Sequence, residues 1–272
     1  MEVAVNKLLP FLQHSTLAVV LCVAGCADMV TYSYDAQHQG MKLYNQGDYA
    51  DAAGAFRNSV RQMSTNYESE YYLGACYVQL GQYQQAIAAF KTARQTSKMT
   101  LQGQEDEQFH NKIIDGLAMA IAMSDLRDAE INAAQQDAQT HGGAESWYLL
   151  GKIYAYRGDA DSAIDAYNRA TLLEPNNFYI AKDYGLFLER VGQGSRAEAP
   201  LRKAYSLDNT DQQVAEALNR IGVVPGPSLL DQNQLAKPLL PKGPIPELQL
   251  PSLTKNSQPS QAVQATAEAP RD

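Results

Sequence analysis

The sequence predicts an all-α solenoid built from helix–turn–helix hairpins, and three observations carry that prediction. The first is the stretch Ala144 to Asn177. Trp147, Leu150, Gly151 and Tyr154 fall on one face of a helix, Gly158-Asp159 makes a turn, and Ala163, Tyr167 and Ala170 fall on one face of a second helix that Pro175 stops. The second is recurrence: 34 residues separate Gly40 from Gly74, Phe56 from Phe90, Gly151 from Gly185 and Ala163 from Ala197. The third is the alternation of small and large residues on the inner faces, which closely crossing helices need. Gly151 and Ala163 are the small residues of the crossing, and Trp147, Tyr154 and Tyr167 fill the space around them. One such hairpin cannot bury its own apolar face, so about three or more must stack.

The residues that carry this pattern resemble the tetratricopeptide repeat (TPR), a unit of about 34 residues. The resemblance covers 33–221. It implies a right-handed superhelix of about five repeats, at 33–66, 67–100, 110–143, 144–177 and 178–211, with a cap at 212–221.

Before the repeats stands a leader, 1–25, and a tether, 26–32. Lys7 gives a positive start, and Leu17 to Val23 is an apolar run too short to span a bilayer. Val23-Ala24-Gly25-Cys26 follows and resembles a bacterial lipobox. That resemblance implies cleavage before Cys26 and a lipid on its thiol, the one nucleophile there able to carry a thioether. The other reading is an ordinary secretory signal with a chance cysteine. Ala27, rather than Asp, follows the cysteine, so the resemblance further implies the periplasmic side of a bacterial envelope, at the outer membrane in preference to the inner.

In the first repeat Gly40 and Leu43 supply the first helix, Gly47-Asp48-Tyr49 the turn, and Ala52, Phe56 and Ser59 the second helix. The second repeat copies this with Gly74, Tyr77, Gly81, Tyr83, Ala86, Phe90 and Ala93. The register then slips, and the surplus is a polar, acidic insertion at 101–109. A weaker third copy turns at Ser124-Asp125-Leu126, with Ala129 inward and Ala120 and Ala133 where the other copies are aromatic. Its first helix, Ile113 to Met123, is apolar all round and predicts burial on several sides. In the fifth copy Pro200 lies early in the second helix, where a missing donor costs little if it falls in the first turn. The cap presents Val214, Leu218 and Ile221 inward.

From 222 to 272 the chain is rich in proline, with nine of its 12 prolines from Pro225 onward, and it predicts a disordered tail. It is either a plain linker or, given the leucines and isoleucine between Leu239 and Leu253, a segment that docks on a partner or on this protein's own groove.

The formal net charge of −8 argues against nucleic acid, which wants a basic face. Three cysteines, Cys22, Cys26 and Cys76, make no disulfide framework, and Cys76 reads as a small buried hydrophobe. His38, His110 and His141 lack metal-ligand spacing, and no nucleophile elbow or phosphate loop is present. The expectation is no enzyme, no cofactor and no metal.

What remains is a surface. By the resemblance, the first helices line a concave groove that holds a peptide or a helix. The residues whose register faces it are Tyr34, Tyr44, Tyr71, Tyr148, Lys152, Tyr156, Tyr179, Lys182 and Arg190. Trp147 points the other way, into the hairpin. Gln37 and Met41 stand where chaperone-binding relatives carry Lys and Asn, which argues against capture of a terminal carboxylate. The chain is similar to the TPR lipoproteins of pilus assembly, secretion and envelope biogenesis. That implies a membrane-tethered periplasmic scaffold whose partners are envelope proteins. An adaptor for cell-wall hydrolases is the alternative within the binding class, and an enzyme or small-ligand-binding protein is the rival outside it.

Overall fold

The computed structural model describes residues 32–100 and 107–230. The leader, the tether with Cys26, most of the predicted insertion and the tail beyond 230 lie outside the described residues. Within them the structure is eleven α-helices and one 3-10 turn, without a strand. Helix α1 covers 32–46 and pairs with α2, Tyr49–Gln62. Then come α3, Tyr67–Gln79, with α4, Tyr83–Thr100, and α5, Glu107–Met123, with α6, Arg127–His141. Next are α7, Ala144–Arg157, with α8, Ala160–Leu173, and α9, Phe178–Arg190, with α10, Gly194–Leu207. The cap α11, Gln212–Arg220, and the 3-10 turn Pro227–Leu229 close the end. First helices form one layer and second helices the other, each second helix packing on the first helix of the next hairpin.

Local chemistry sets the boundaries. Within every hairpin but the third the chain reverses at glycine: Gly158 ends α7 at φ 77°, a left-handed conformation that side chains resist. Between hairpins an Asn or Asp caps α3, α9 and α11, whereas α7 starts after Gly143 without a side-chain cap. Asn177 accepts from the amides of Tyr179 and Ile180, and Asp211 from that of Val214.

The core depends on one repeated contact. A Cβ built on Gly40 would lie 2.7 Å from Phe56, on Gly74 2.9 Å from Phe90, on Gly151 3.0 Å from Tyr167 and on Gly185 2.7 Å from Leu201. In each hairpin a large residue sixteen positions on is seated on the glycine, and all four are buried. At Gly151 the close partner is therefore the Tyr167 ring rather than Ala163.

The third hairpin departs from this. Its glycine, Gly116, receives Phe90 from the preceding hairpin, with a Cβ there only 2.6 Å from the ring. Sixteen positions on stands Asn132, which is exposed. Ala129, expected inward, is exposed, and so is Ala133; α6 buries Ile131 and Ala138 instead. The 34-residue register thus fails in α6, because no large side chain holds it to α5. Helix α5 is buried on several sides, as its composition predicts.

Three further expectations need correction, and the first-turn condition on Pro200 is not met. Residues 107–109 belong to α5, so the insertion is shorter than 101–109. Pro200 lies in the second turn of α10, not the first. Trp147 is only partly buried, and the Arg169 guanidinium stacks over its ring at 4.5 Å, so it sits at the edge of the α7–α8 pair. Residues 222–230 are not yet tail: Val223 and Leu229 pack against the core.

Glu70 on α3 is 3% exposed, and its Oε2 has no partner. Burial pushes its carboxyl up to about 7, against a smaller opposing bond from Thr96. A raised carboxyl means that the fold prefers the protonated acid. The contribution of Glu70 to stability is therefore greatest below the ordinary value of 4.5 and is lost as pH rises through about 7. Glu70→Gln removes that loss and stabilises the protein at pH 8 by up to about 3 kcal/mol, read from urea unfolding at pH 5 and pH 8. The glycine seat gives a second, paired expectation. Gly185→Ala costs about 1–3 kcal/mol, because Leu201 side chain and backbone both crowd the new methyl. Gly54→Ala, where a Cβ meets nothing within 4 Å, stabilises α2 by about 0.5–1 kcal/mol. Thermal unfolding of the two variants separates them by sign.

Candidate functional site

The first-helix layer carries a polar cluster where α5, α7 and α9 lie side by side. Each helix contributes a charge from an otherwise apolar stretch. The Lys152 amine of α7 sits 2.7 Å from Asp115 Oδ1 of α5 and 2.5 Å from Asp183 Oδ2 of α9. Tyr156 donates its hydroxyl to Asp115 at 2.9 Å. Tyr148 bonds Asn111 of α5 and, at 2.5 Å, Asp183. Burial opposes the charge on Lys152, but Asp115 and Asp183 more than offset it and hold the ammonium well above the usual lysine range. Burial first, and Asp183 second, push the Tyr148 phenol upward. The tyrosines thus stay neutral donors and Lys152 stays charged.

Beside the cluster is a cup of about 170 Å3. Asp115, Lys152 and Asp183 form its polar side, and Leu186 and Phe187 of α9 its apolar side. Arg190 stands exposed at the rim, its guanidinium 5.6 Å from the Phe187 ring centre. The cup can take an apolar side chain against Leu186 and Phe187, with a carboxylate or carbonyl on Arg190. Among the described residues no group of His, Cys, Asp and Glu could hold a metal ion. Cys76 is fully buried, and burial pushes its thiol up to about 12, out of reach as a nucleophile at neutral pH.

The structure sorts the nine groove residues of the sequence reading. Tyr34 and Arg190 are exposed. Tyr44, Tyr156, Tyr179 and Lys182 are partly buried, and Lys182 is tied to Asp211 of the cap at 2.6 Å. Tyr71, Tyr148 and Lys152 are buried and are corrected. Tyr71 packs edge-on to Phe109 and Tyr72 inside the core, and Tyr148 and Lys152 join neighbouring helices. Only Tyr156, Lys152 and Arg190 of the nine share the cup. Sequence reading missed Asp115, Asp183, Leu186 and Phe187. The signal for the two aspartates was there: opposite charges in apolar first helices, roughly one period on either side of Lys152.

Comparison with known proteins agrees with this architecture. Residues 39–99 and 144–177 match tetratricopeptide-repeat family models. The fold is a tetratricopeptide-repeat solenoid. No curated protein matches the sequence. Among solved structures the chain is similar to YrrB, a TPR protein with an unusual peptide-binding site, at 16% identity and TM-score 0.36 over 68% of this chain and 90% of that one. It is similar to a TPR protein of Thermus thermophilus at 16% identity and TM-score 0.39, over 70% of this chain and 98% of that one. An assembly chaperone of RpL4 (Acl4) gives 13% identity and TM-score 0.42, over 79% and 92%.

Lys152→Met leaves Asp115 and Asp183 facing each other without their cation. It costs about 3–5 kcal/mol in chemical unfolding, the loss typical of one partner removed from a buried ion pair. Arg190→Ala, at the exposed rim, shifts stability by less than about 0.5 kcal/mol.

Proposed function

We propose that this chain is a periplasmic scaffold, tethered to a membrane by a lipid on Cys26, that holds a protein partner on its first-helix face during assembly of an envelope complex such as a pilus or secretion system. The fold supports the binding half of this reading, because stacked hairpins present a long continuous surface suited to a peptide or helix. The cup at Arg190 is the observation that carries it. Its inner polar side chains, Asp115, Lys152, Tyr156 and Asp183, are already fixed by bonds to one another, so a partner binds without the cost of ordering them and has Arg190 at the rim to engage. The lipobox-like Val23-Ala24-Gly25-Cys26 supports the tether, and the resemblance of the leader and repeats together to envelope TPR lipoproteins supports the process.

A photo-crosslinking residue placed at Arg190 in cells is expected to capture an envelope protein, and Arg190→Glu to weaken that partner's binding at least tenfold with unchanged thermal stability. Capture of nothing, or undiminished binding by Arg190→Glu, overturns the site. Separately, Cys26→Ser is expected to move the protein from the membrane fraction to the soluble one, and the mass of the N-terminal peptide to show the lipid on wild type alone.

A further inference from the structure

The irregular third hairpin leaves a cleft on the opposite, second-helix layer. A cavity of about 390 Å3 opens between α4 and α6. Its floor is Leu117 and Ile121 of α5 and Leu149 of α7. The cause lies in the sequence of α6. Ala133 and Ala134 face the space, and no large side chain from α6 fills it as Phe56, Phe90, Tyr167 and Leu201 fill their own hairpins.

The two walls carry opposite charge. Helix α4 lines its side with Lys91, Arg94 and Lys98, the last two sharing Glu145 of α7 so that the wall keeps a net positive charge, and α6 lines the other with Glu130 and Asp137. One ion pair crosses between the walls, Lys91 Nζ to Glu130 Oε2 at 2.6 Å, with the Lys91 side chain 51% exposed. A pair so exposed holds by about 0–1 kcal/mol and opens readily to an occupant.

We propose that this cleft binds a leucine- and proline-rich segment bearing one cation and one anion, and that the occupant is this chain's own segment Leu239–Leu253. The direction of the chain favours it. The 3-10 turn Pro227–Leu229 packs on α10, a second helix, so the chain leaves the fold on the layer that holds the cleft. The length suffices. The fifteen residues from Leu230 to Ile245 reach about 50 Å when extended, more than the three helix diameters of about 10–12 Å each that separate α10 from the cleft past α8 and α6.

The chemistry matches as well. Leu240, Ile245 and Leu248 supply apolar side chains for the floor. Lys242 and Glu247 stand on either side of Ile245, so one seats against the Glu130–Asp137 wall and the other against the Lys91–Lys98 wall. Pro241, Pro244, Pro246 and Pro251 fix their own φ angles, which lowers the entropy lost on docking.

The test uses the chain from residue 26 to its end with Cys26→Ser, so that buried Cys76 is the one native thiol. Leu248→Cys is paired either with Ala133→Cys, at the cleft, or with Asp165→Cys, exposed on α8 and nearer to the point where the chain leaves α10. In a glutathione redox buffer the Ala133 pair is expected to close an intramolecular disulfide at least tenfold faster than the Asp165 pair. Adding Ile245→Asp is expected to abolish the difference. Equal rates for the two pairs, or a preference that survives Ile245→Asp, overturn the proposal. A disulfide-linked dimer as the main product also overturns it, by assigning the cleft to a second copy's segment.

Discussion

The structure depends on the seating of a large side chain on a glycine of the facing helix. At Gly40, Gly74, Gly151 and Gly185 the absent Cβ is what lets Phe56, Phe90, Tyr167 and Leu201 reach the facing backbone. A pair of helices held this way crosses closely and buries the second helix on the first. Packing at crystal-like density leaves no room for the contact to be approximate, so each hairpin is either seated or open. Four hairpins are seated. The third keeps its glycine but gives it to Phe90 of the hairpin before, and α6 is left to pack through Ile131 and Ala138.

This alternation also explains where the polar groups went. Apolar seats hold each hairpin together, while Asp115–Lys152–Asp183 and Lys182–Asp211 tie first helices to their neighbours. The charged links begin at α5, at the hairpin whose own seat is missing, and continue to the cap. A buried ammonium shared by two carboxylates adds little net energy over an apolar contact, but a one-residue slip between helices would leave its charges unpaired. It therefore fixes the registry of α5, α7 and α9, and with it the shape of the cup.

Glycine and aromatic spacing made the seated hairpins legible in the sequence. The 34-residue period put Gly185 and Ala197, and the apolar spacing of the cap helix put Val214 and Leu218, where the structure has them. Period failed where a repeat kept the period but lost the seat: Ala129 stands 34 residues before Ala163 yet is exposed, because register along a chain predicts burial only if a partner covers the residue. The groove was less legible. Period gives the direction of a side chain but not its reach, so Tyr148 and Lys152 pointed correctly and were still consumed by Asn111, Asp115 and Asp183. A short side chain such as Asp115 carries no pattern of its own; only its charge within an apolar helix distinguishes it.

The two layers consequently offer different kinds of surface. On the first-helix layer, side chains are fixed in advance by bonds among themselves, and a partner finds them ordered. On the second-helix layer, the seats consume the large residues, and the cleft between α4 and α6 opens where a seat is missing. A solenoid whose hairpins were all seated would have a continuous second-helix layer with nothing to receive. The loss of one aromatic from α6 thus has two consequences from one cause: it breaks the period that made the fold readable, and it creates the cleft between α4 and α6. The irregular repeat is where the fold gives up packing, and for that reason it is where the second layer can bind.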